Sequence, residues 1–270
     1  MRSPIWILTI ALVTAACGKH EAASTAPPTP TAQQPAPSAD TGAIDAALHS
    51  ADRLSGDADE DTWRHPAEVL AFLQVRPGQH VIDYFAGGGY FTELLSRVVG
   101  PTGRVIAYNN AGYLKFAADK PAQRYGNQRL ANVEQLTTPP EELPVEPNSL
   151  DAALFFLSYH DLHWVSKKGE WTPTDPAKSL ARLVAALKPG ATVVVVDHIA
   201  ADGSDPAQSV DAMHRIDPAV VRHEFEAAGL TFDGQSDVFR NPADDHTKPV
   251  FDESIRHHTD QFMYRFKKPS

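Results

Sequence analysis

Short apolar runs alternate along the chain with segments whose apolar residues recur at helical spacing. Such runs are typical of strands that are buried on both faces, because neither face of such a strand meets water. They predict strands at Val81–Ala86, Arg104–Asn109, Val133–Leu136, Leu150–Ser158 and Ala191–Ile199, and two closing strands at Thr231–Arg240 and Asp260–Lys267.

Helices are predicted between these strands from their start signals. Proline suits the first helical position, because the amide that it lacks would have no partner there. Such starts occur at His65-Pro66, Asp175-Pro176 and Asp217-Pro218, and further helices are predicted at Asp40–Ser55 and Ala111–Ala118. The acidic run Asp57–Asp61 is predicted to be solvated.

This alternation predicts an α/β fold. Strands that are separated by helices and buried on both faces form a doubly wound, mostly parallel seven-stranded sheet with helices on both faces. The last two strands follow the final helix as a hairpin, which predicts an antiparallel closing strand at the edge. Sheets of this kind bind ligands at the carboxyl ends of their central strands.

Three consecutive glycines, Gly87, Gly88 and Gly89, join the first strand to a helix over Tyr90–Val99. A helix start offers unpaired amides and a positive dipole end, and glycine lets a ligand approach the backbone closely. The junction therefore predicts a ligand site. The alternative is a tight turn that binds nothing.

Two common phosphate-binding motifs are absent from this junction. A phosphate-binding P-loop requires a lysine after the last glycine, and none follows here. A nicotinamide fingerprint requires a third spaced glycine, and this chain has Thr92 there. An NAD-dependent oxidoreductase is therefore the less favoured function.

An acid inside the strand, then glycines, then a helix resembles class I S-adenosylmethionine-dependent methyltransferases. Further segments follow in the order of that fold, from about Trp63 to Lys268: RPGQHVIDYFAGGG, GRVIAYN, NSLDAALFFLSYHDLHW, LARLVAALKPGATVVVVDH and HEFEAAGL. The YHDLH and RNPADDHT stretches resemble a branch of predicted bacterial methyltransferases.

The resemblance implies S-adenosylmethionine as cofactor. Asp83 and Gly87–Gly89 would line its methionine end, and Asn109 stands where the family usually has an acid that holds the ribose hydroxyls. Three positions depart from the family pattern: Phe85 replaces the first expected glycine, Asn109 carries no charge, and Pro139 lies near the position where an acid often reads the adenine amino group. A neutral hydrogen bond in place of a charged one costs about 1 kcal/mol, roughly fivefold in affinity.

The stretch after the fourth strand, Ser158–Trp164, carries the candidate catalytic groups. Methyl transfer needs a base only when the nucleophile carries a proton. His160 is the best candidate base, because an ordinary histidine titrates near pH 6.5, and Asp161 would orient it or contact the substrate. Alternatively, His160 caps the strand and Asp161 starts a helix. His198, after the fifth strand, is a second candidate base or a structural histidine.

Composition excludes several other classes of function. Acidic residues number 34 against 24 lysines and arginines, and no basic run occurs, so a nucleic-acid partner is not expected. No HExxH or similar spacing occurs, and Cys17 is the only cysteine, so no metal site is predicted. The expected partner is a small-molecule acceptor, and the oligomeric state is left open.

The N-terminal segment predicts a lipoprotein. Arg2 and the apolar run Ile5–Ala16 form a signal peptide over residues 1–16, followed by Cys17 as the lipidated residue. The alternative is an uncleaved membrane anchor. Residues 17–39 form a proline-rich disordered tether, and residues 40–270 form a single methyltransferase-like domain. Gly18 resembles an outer-membrane sorting signal, so we expect the domain to face the periplasm.

Two hypotheses therefore stand beside each other. The first is a lipid-anchored S-adenosylmethionine-dependent methyltransferase that acts on a small molecule. The second is a non-catalytic envelope lipoprotein that keeps the fold and binds another ligand. The departures at Phe85, Asn109 and Pro139 favour the second, whereas the intact glycine triplet and the His160-Asp161 pair favour the first.

Overall fold

The computed structural model describes residues 38–165 and 171–270, which belong to one compact unit. The predicted signal peptide, Cys17 and all but the last residues of the tether lie outside the described residues. None of the helices in the described ranges is long and apolar enough to cross a membrane.

Seven strands form one sheet in the order β3-β2-β1-β4-β5-β7-β6. They are β1 (His80–Tyr84), β2 (Arg104–Asn109), β3 (Val133–Thr137), β4 (Leu150–Phe156), β5 (Leu187–His198), β6 (Thr231–Ser236) and β7 (Gln261–Lys267). β1 to β5 pair in parallel, and β7 runs antiparallel to both of its neighbours. The predicted fold class is confirmed.

Nine α-helices connect the strands in the described part of the chain. They are α1 (Thr41–Leu48), α2 (Asp57–Arg64), α3 (Pro66–Leu73), α4 (Tyr90–Val99), α5 (Ala111–Ala117), α6 (Lys120–Tyr125), α7 (Pro176–Ala186), α8 (Pro206–Met213) and α9 (Pro218–Ala227). The predicted aspartate caps are present: Asp175 accepts the amide of Lys178 at 3.1 Å, and Asp217 accepts that of Ala219 at 2.8 Å.

Two apolar layers cover the two faces of the sheet, because alternate residues of a strand point to opposite sides. Val81 and Val194 pack with α3 and α4 on one side, whereas Ile82 and Val195 pack with α7 and α9 on the other. Helices therefore lie on both faces, as predicted. The crevice at the carboxyl ends of β1, β4 and β5 is left for polar and aromatic residues.

One prediction about the N-terminal region is wrong. The acidic run Asp57–Asp61 is the start of helix α2, and Asp57 is only 5% exposed. Its carboxylate pairs with Arg124 at 2.6 Å, so the charge that predicted a solvated segment is neutralised inside the protein. Helices α6 and α8 were not predicted from the sequence.

Candidate functional site

The glycine triplet forms the predicted loop between β1 and α4, but its amides are used unequally. The Gly87 amide donates to Asn109 Oδ1 at 2.9 Å, and the Gly89 amide donates to the Ala86 carbonyl at 2.9 Å. The Gly88 amide has no acceptor among the residues that the structure describes. It is therefore a donor left for a ligand at the start of α4.

The three glycines are required for different reasons. A Cβ at Gly89 would lie 2.0 Å from Tyr125 Oη, and one at Gly88 would lie 3.0 Å from Lys120 Cβ, so helix α6 packs directly on both residues. A Cβ at Gly87 would meet no atom within 4 Å, although its φ of +56° favours glycine. Open space therefore adjoins Gly87, and the other two glycines make room for α6.

Asn109, expected to face the ribose hydroxyls of a cofactor, is instead directed at the loop. Its Oδ1 accepts the Gly87 amide, and its Nδ2 donates to the Gly87 carbonyl at 3.3 Å. An amide side chain can make this pair of bonds, whereas an ionised acid cannot donate. The departure from the acid of the family pattern thus has a structural reason, and the ribose contact stays a prediction.

Phe85 also departs from the family pattern in side chain but keeps the backbone shape of a glycine. Its φ is +57°, a left-handed conformation that costs a non-glycine residue on the order of 1–2 kcal/mol. Its ring stacks on Tyr113 with centroids 4.5 Å apart and meets Tyr108 at 5.6 Å. Aromatic pairs contribute about 0.5–1.5 kcal/mol each, which offsets the backbone cost. The ring is packed in this cluster as a wall of the crevice.

Asp83 lies at the end of β1 with its carboxylate buried beneath the loop. Thr92 Oγ1 donates to Asp83 Oδ2 at 2.6 Å. Burial raises the pKa of Asp83 to about 6, although the Thr92 hydrogen bond acts in the opposite direction. A cationic ligand would stabilise the ionised form of this buried carboxylate.

A cavity of about 230 Å³, here called the loop cavity, lies between the glycine loop and helix α2. Charged residues of both signs line it: Glu60, Arg64, Asp83, Lys120 and Arg124. Helix α2 is fixed over it by Arg53, which donates to both oxygens of Asp61 at 2.6–2.7 Å. A ligand with charges of both signs fits this lining.

A second cavity of about 570 Å³, here called the aromatic cavity, opens beside the first. Six aromatic residues line it: Trp63, Tyr113, Phe116, Trp164, Trp171 and Phe251. Trp63, Tyr113 and Leu157 line both cavities, so the two spaces adjoin. Its volume is within the range of about 300–1,000 Å³ of small-molecule sites, whereas the loop cavity alone is below that range.

His160 and Asp161 both line the aromatic cavity, as the sequence predicted. His160 Nδ1 lies 2.7 Å from Asp197 Oδ1, and its Nε2 lies 3.5 Å from Asp161 Oδ1. Burial lowers the pKa of His160, but the carboxylates of Asp161 and Asp197 more than offset this and raise it to about 9. A protonated imidazole has no free lone pair, which favours the structural role left open for His160.

Asp161 is the titratable group that connects the two cavities. Burial raises its pKa, while His160 acts to lower it, and the Tyr113 hydroxyl donates to its Oδ2. Because the ring of Tyr113 stacks on Phe85 beside the glycine loop, one contact chain runs from Asp197 through His160 and Asp161 to that loop.

His198 also lines the aromatic cavity, and its imidazole is uncharged. Its Nδ1 lies 2.7 Å from Thr259 Oγ1, and burial lowers its pKa to about 3. Within the two described ranges, no group of three or more histidine, cysteine or acidic residues is arranged to hold a metal ion. Sequence patterns did not single out Trp63, Tyr113 or Lys120, although the pair Lys120-Pro121 is a helix-start signal that marks α6.

Another open groove, of about 610 Å³, lies elsewhere. Arg104 at the start of β2 and Val133 at the start of β3 line it, so it lies at the amino ends of the strands. Ligands of doubly wound sheets bind at the opposite ends, and we therefore assign the site to the loop and aromatic cavities.

A family model settles the assignment of the chain. The model described as the ubiE/COQ5 methyltransferase family matches residues 56–205, more than half of the sequence. The chain belongs to the ubiE/COQ5 methyltransferase family. The match covers the glycine loop, Asp83, His160 and Asp161, and it ends before β6 and β7. The aromatic cavity of this family member is therefore built partly by residues beyond the matched region, among them His214 and Phe251.

Similar proteins are named as C-methyltransferases. The protein named "Ubiquinone/menaquinone biosynthesis C-methyltransferase UbiE" from Salmonella arizonae is 29% identical over 188 residues, which are 69% of this chain and 63% of that protein. The protein of the same name from Pseudoalteromonas translucida is 28% identical over 136 residues, 50% of this chain and 48% of its own length. This chain thus spans less than two thirds of these relatives.

Solved structures share the fold. A SAM-dependent methyltransferase from Aquifex aeolicus superposes with a TM-score of 0.56 at 18% identity, covering 84% of this chain and 98% of that one. The [4+2]-cyclase SpnF superposes with a TM-score of 0.55 at 16% identity, covering 82% and 85% of the two chains. The family and the fold support the methyltransferase resemblance and give no support to an oxidoreductase or a non-catalytic lipoprotein.

Proposed function

We propose that this family member transfers a methyl group from S-adenosylmethionine to a small planar acceptor that binds in the aromatic cavity. The observation that carries the proposal is the junction of the two cavities: a charged space at the glycine loop shares Trp63 and Tyr113 with a larger aromatic space. The first suits a zwitterionic cofactor end, and the second suits a flat apolar acceptor.

The residues at the glycine loop fit S-adenosylmethionine, which carries a carboxylate, an ammonium and a sulfonium. Asp83 would face its cationic groups, and Lys120 with the Gly88 amide would face its carboxylate. Lys120 is 57% exposed at its side chain, and its ammonium lies 3.7 Å from Glu60. Because an exposed pair of this kind is weak, the ammonium can turn toward an anion. Because the loop cavity is small, the rest of the cofactor would extend past Trp63 into the adjoining space.

The chemistry supplied by the bound cofactor is a methyl group whose bond to sulfur breaks as its bond to the acceptor atom forms, leaving S-adenosylhomocysteine. A proton is released when the acceptor atom carries one. Asp161 is the group placed to take it, because it lines the aromatic cavity and burial raises its pKa. Protonated His160 and the Tyr113 hydroxyl hold the two oxygens of Asp161 in place.

The acceptor enters from an apolar mouth. Phe116 and Phe251 both line the aromatic cavity, and their side chains are about 60% exposed, at 62% and 59%. Exposed apolar residues that cluster at a cavity mark a ligand or partner surface. This mouth supports an acceptor that is largely apolar. Because His214 and Phe251 lie beyond the family match, the acceptor need not be that of the curated relatives.

Calorimetric titration of the protein with S-adenosylmethionine, S-adenosylhomocysteine and NAD tests the proposal. We expect the first two to bind and NAD not to bind. Asp83→Asn should weaken S-adenosylmethionine about tenfold or more, since it removes a charged contact worth about 1.5–3 kcal/mol. In the wild type, the affinity should fall as the pH drops through about 6, where Asp83 takes up a proton.

Asp161→Asn is the matched variant in the aromatic cavity. It should bind the cofactor as the wild type does and should lose methyl transfer in a screen of aromatic acceptors that follows S-adenosylhomocysteine release. Wild-type protein that binds neither S-adenosylmethionine nor its product would overturn the proposed function. An Asp83→Asn variant with unchanged affinity would remove Asp83 from the cofactor site.

A further inference from the structure

A single buried arginine connects the two sides of the loop cavity, which are helix α2 and the glycine loop. Arg124, on the last turn of α6, is 1% exposed. Its Nε donates to the Gly88 carbonyl at 2.6 Å, and its Nη1 and Nη2 donate to Asp57 at 2.6 and 3.0 Å. Nη1 also lies 2.6 Å from Glu93 Oε2 on α4. One guanidinium thus reaches helix α2, helix α4 and the glycine loop.

The contact on Gly88 fixes a peptide that has little rigidity of its own. Glycine lacks the Cβ that restricts the backbone, so the peptide between Gly88 and Gly89 depends on outside contacts. Arg124 holds its carbonyl, and the Ala86 carbonyl holds its amide at 2.9 Å. The preceding peptide carries the Gly88 amide, and its carbonyl, that of Gly87, accepts from Asn109 Nδ2 at 3.3 Å. Arg124 and Asn109 therefore hold the two sides of Gly88, and together they limit the direction of the loop donor that is left for a ligand.

The contact on Asp57 fixes helix α2 on its side of the loop cavity. Asp57 is the first residue of α2, and the following turns carry Glu60, Trp63 and Arg64 into the lining of the loop cavity. The planar guanidinium holds its donors in a rigid fork, so it sets the distance between this helix and the glycine loop. Two carboxylates surround its charge, so it does not present an uncompensated cation to a cationic ligand.

We propose that Arg124 is a positioning residue for cofactor binding, which it supports through Gly88 and Asp57 by holding the loop and helix α2 at a fixed separation. The inference rests on the proposed function, because it concerns the affinity for S-adenosylmethionine. It assigns to Arg124 a role beyond the stability that a buried ion pair gives, and such pairs are often poor stabilisers.

The test compares Arg124→Lys with Arg129→Lys by titration of S-adenosylhomocysteine and by thermal unfolding. Lysine keeps the charge at position 124 but loses the fork, and we expect the product to bind about tenfold or more weakly. Arg129 also pairs with Glu93, at 2.6 Å, and within the described ranges it makes no hydrogen bond to the glycine loop. Its variant should be destabilised while its affinity stays within about twofold of the wild type.

Asp57→Asn gives a second measurement in which the arginine itself is kept. It weakens the link to α2 and leaves the Gly88 contact, so the affinity should fall several-fold. Arg124→Lys and Asp57→Asn that both bind like the wild type would overturn the inference, as would an equal loss of affinity in Arg129→Lys. A wild-type protein that does not bind the product would overturn the proposed function first.

Discussion

Gly89→Ala should lower the stability by on the order of 2–4 kcal/mol and should abolish tight cofactor binding. The new Cβ would lie 2.0 Å from Tyr125 Oη and 2.8 Å from Arg124 Cδ, so α6 would have to move away from the loop. Overpacking costs about 1–3 kcal/mol, and the φ of +81° adds strain for any residue with a Cβ. Urea unfolding and titration with S-adenosylhomocysteine measure the two effects.

Gly100→Ala is the control for the strain alone. Gly100 ends α4 with a φ of +65°, and a Cβ there would meet no atom within 4 Å. Because its ψ of −169° lies in a region that is essentially restricted to glycine, we expect a loss of about 1–3 kcal/mol and unchanged cofactor affinity. Equal cofactor affinities for the two variants would show that α6 does not constrain Gly89, and the assigned role of that glycine would be withdrawn.

Asp197→Asn should be the most damaging change in the aromatic cavity, with a loss of about 3–5 kcal/mol. The buried carboxylate accepts the His160 amide at 2.9 Å, the His198 amide at 2.8 Å and His160 Nδ1 at 2.7 Å. Asparagine would place an N–H group against one of these donors and leave the imidazolium without its closest partner. Asp151→Asn is the control, since Asp151 pairs with Lys188 at a partly exposed site and should lose about 1 kcal/mol or less.

The ion pair between His160 and Asp197 also makes the stability of the protein depend on pH. The pKa of His160 is about 9 in the folded protein, above the value near 6.5 of an unfolded chain. Its contribution is therefore complete below about pH 6.5 and is lost as the pH rises through 9. Between pH 7 and 9.5 the wild type should lose about 2 kcal/mol, and Asp197→Asn should lose less. A wild-type stability that does not change over this range would contradict the charged state of His160.

The sheet could be predicted because its strands and the helix starts between them are specified by residues that are close together in the sequence. Apolar runs such as Leu150–Phe156 are long enough to require burial on both faces, and the Asp-Pro starts at Asp175 and Asp217 are side-chain caps that act within three residues. Position after a strand was enough to bring His160 and Asp161 to the crevice.

The chemistry of the site could not be predicted because it depends on distant partners. Asp57 is buried by Arg124, 67 positions later, and Asn109 bonds to the Gly87 backbone, 22 positions earlier. His160 was expected to titrate like an ordinary histidine, but its neighbour Asp161 and the distant Asp197, 37 positions away, together raise its pKa to about 9. None of these pairings has a signal in the spacing of the sequence.

A crystal structure of the protein soaked with S-adenosylhomocysteine tests the central claim most directly. The account predicts that the amino-acid end of the product lies in the loop cavity, with its ammonium at Asp83 and its carboxylate near the Gly88 amide and Lys120. Product bound away from the glycine loop, or a loop cavity that stays empty at saturating product, would contradict it.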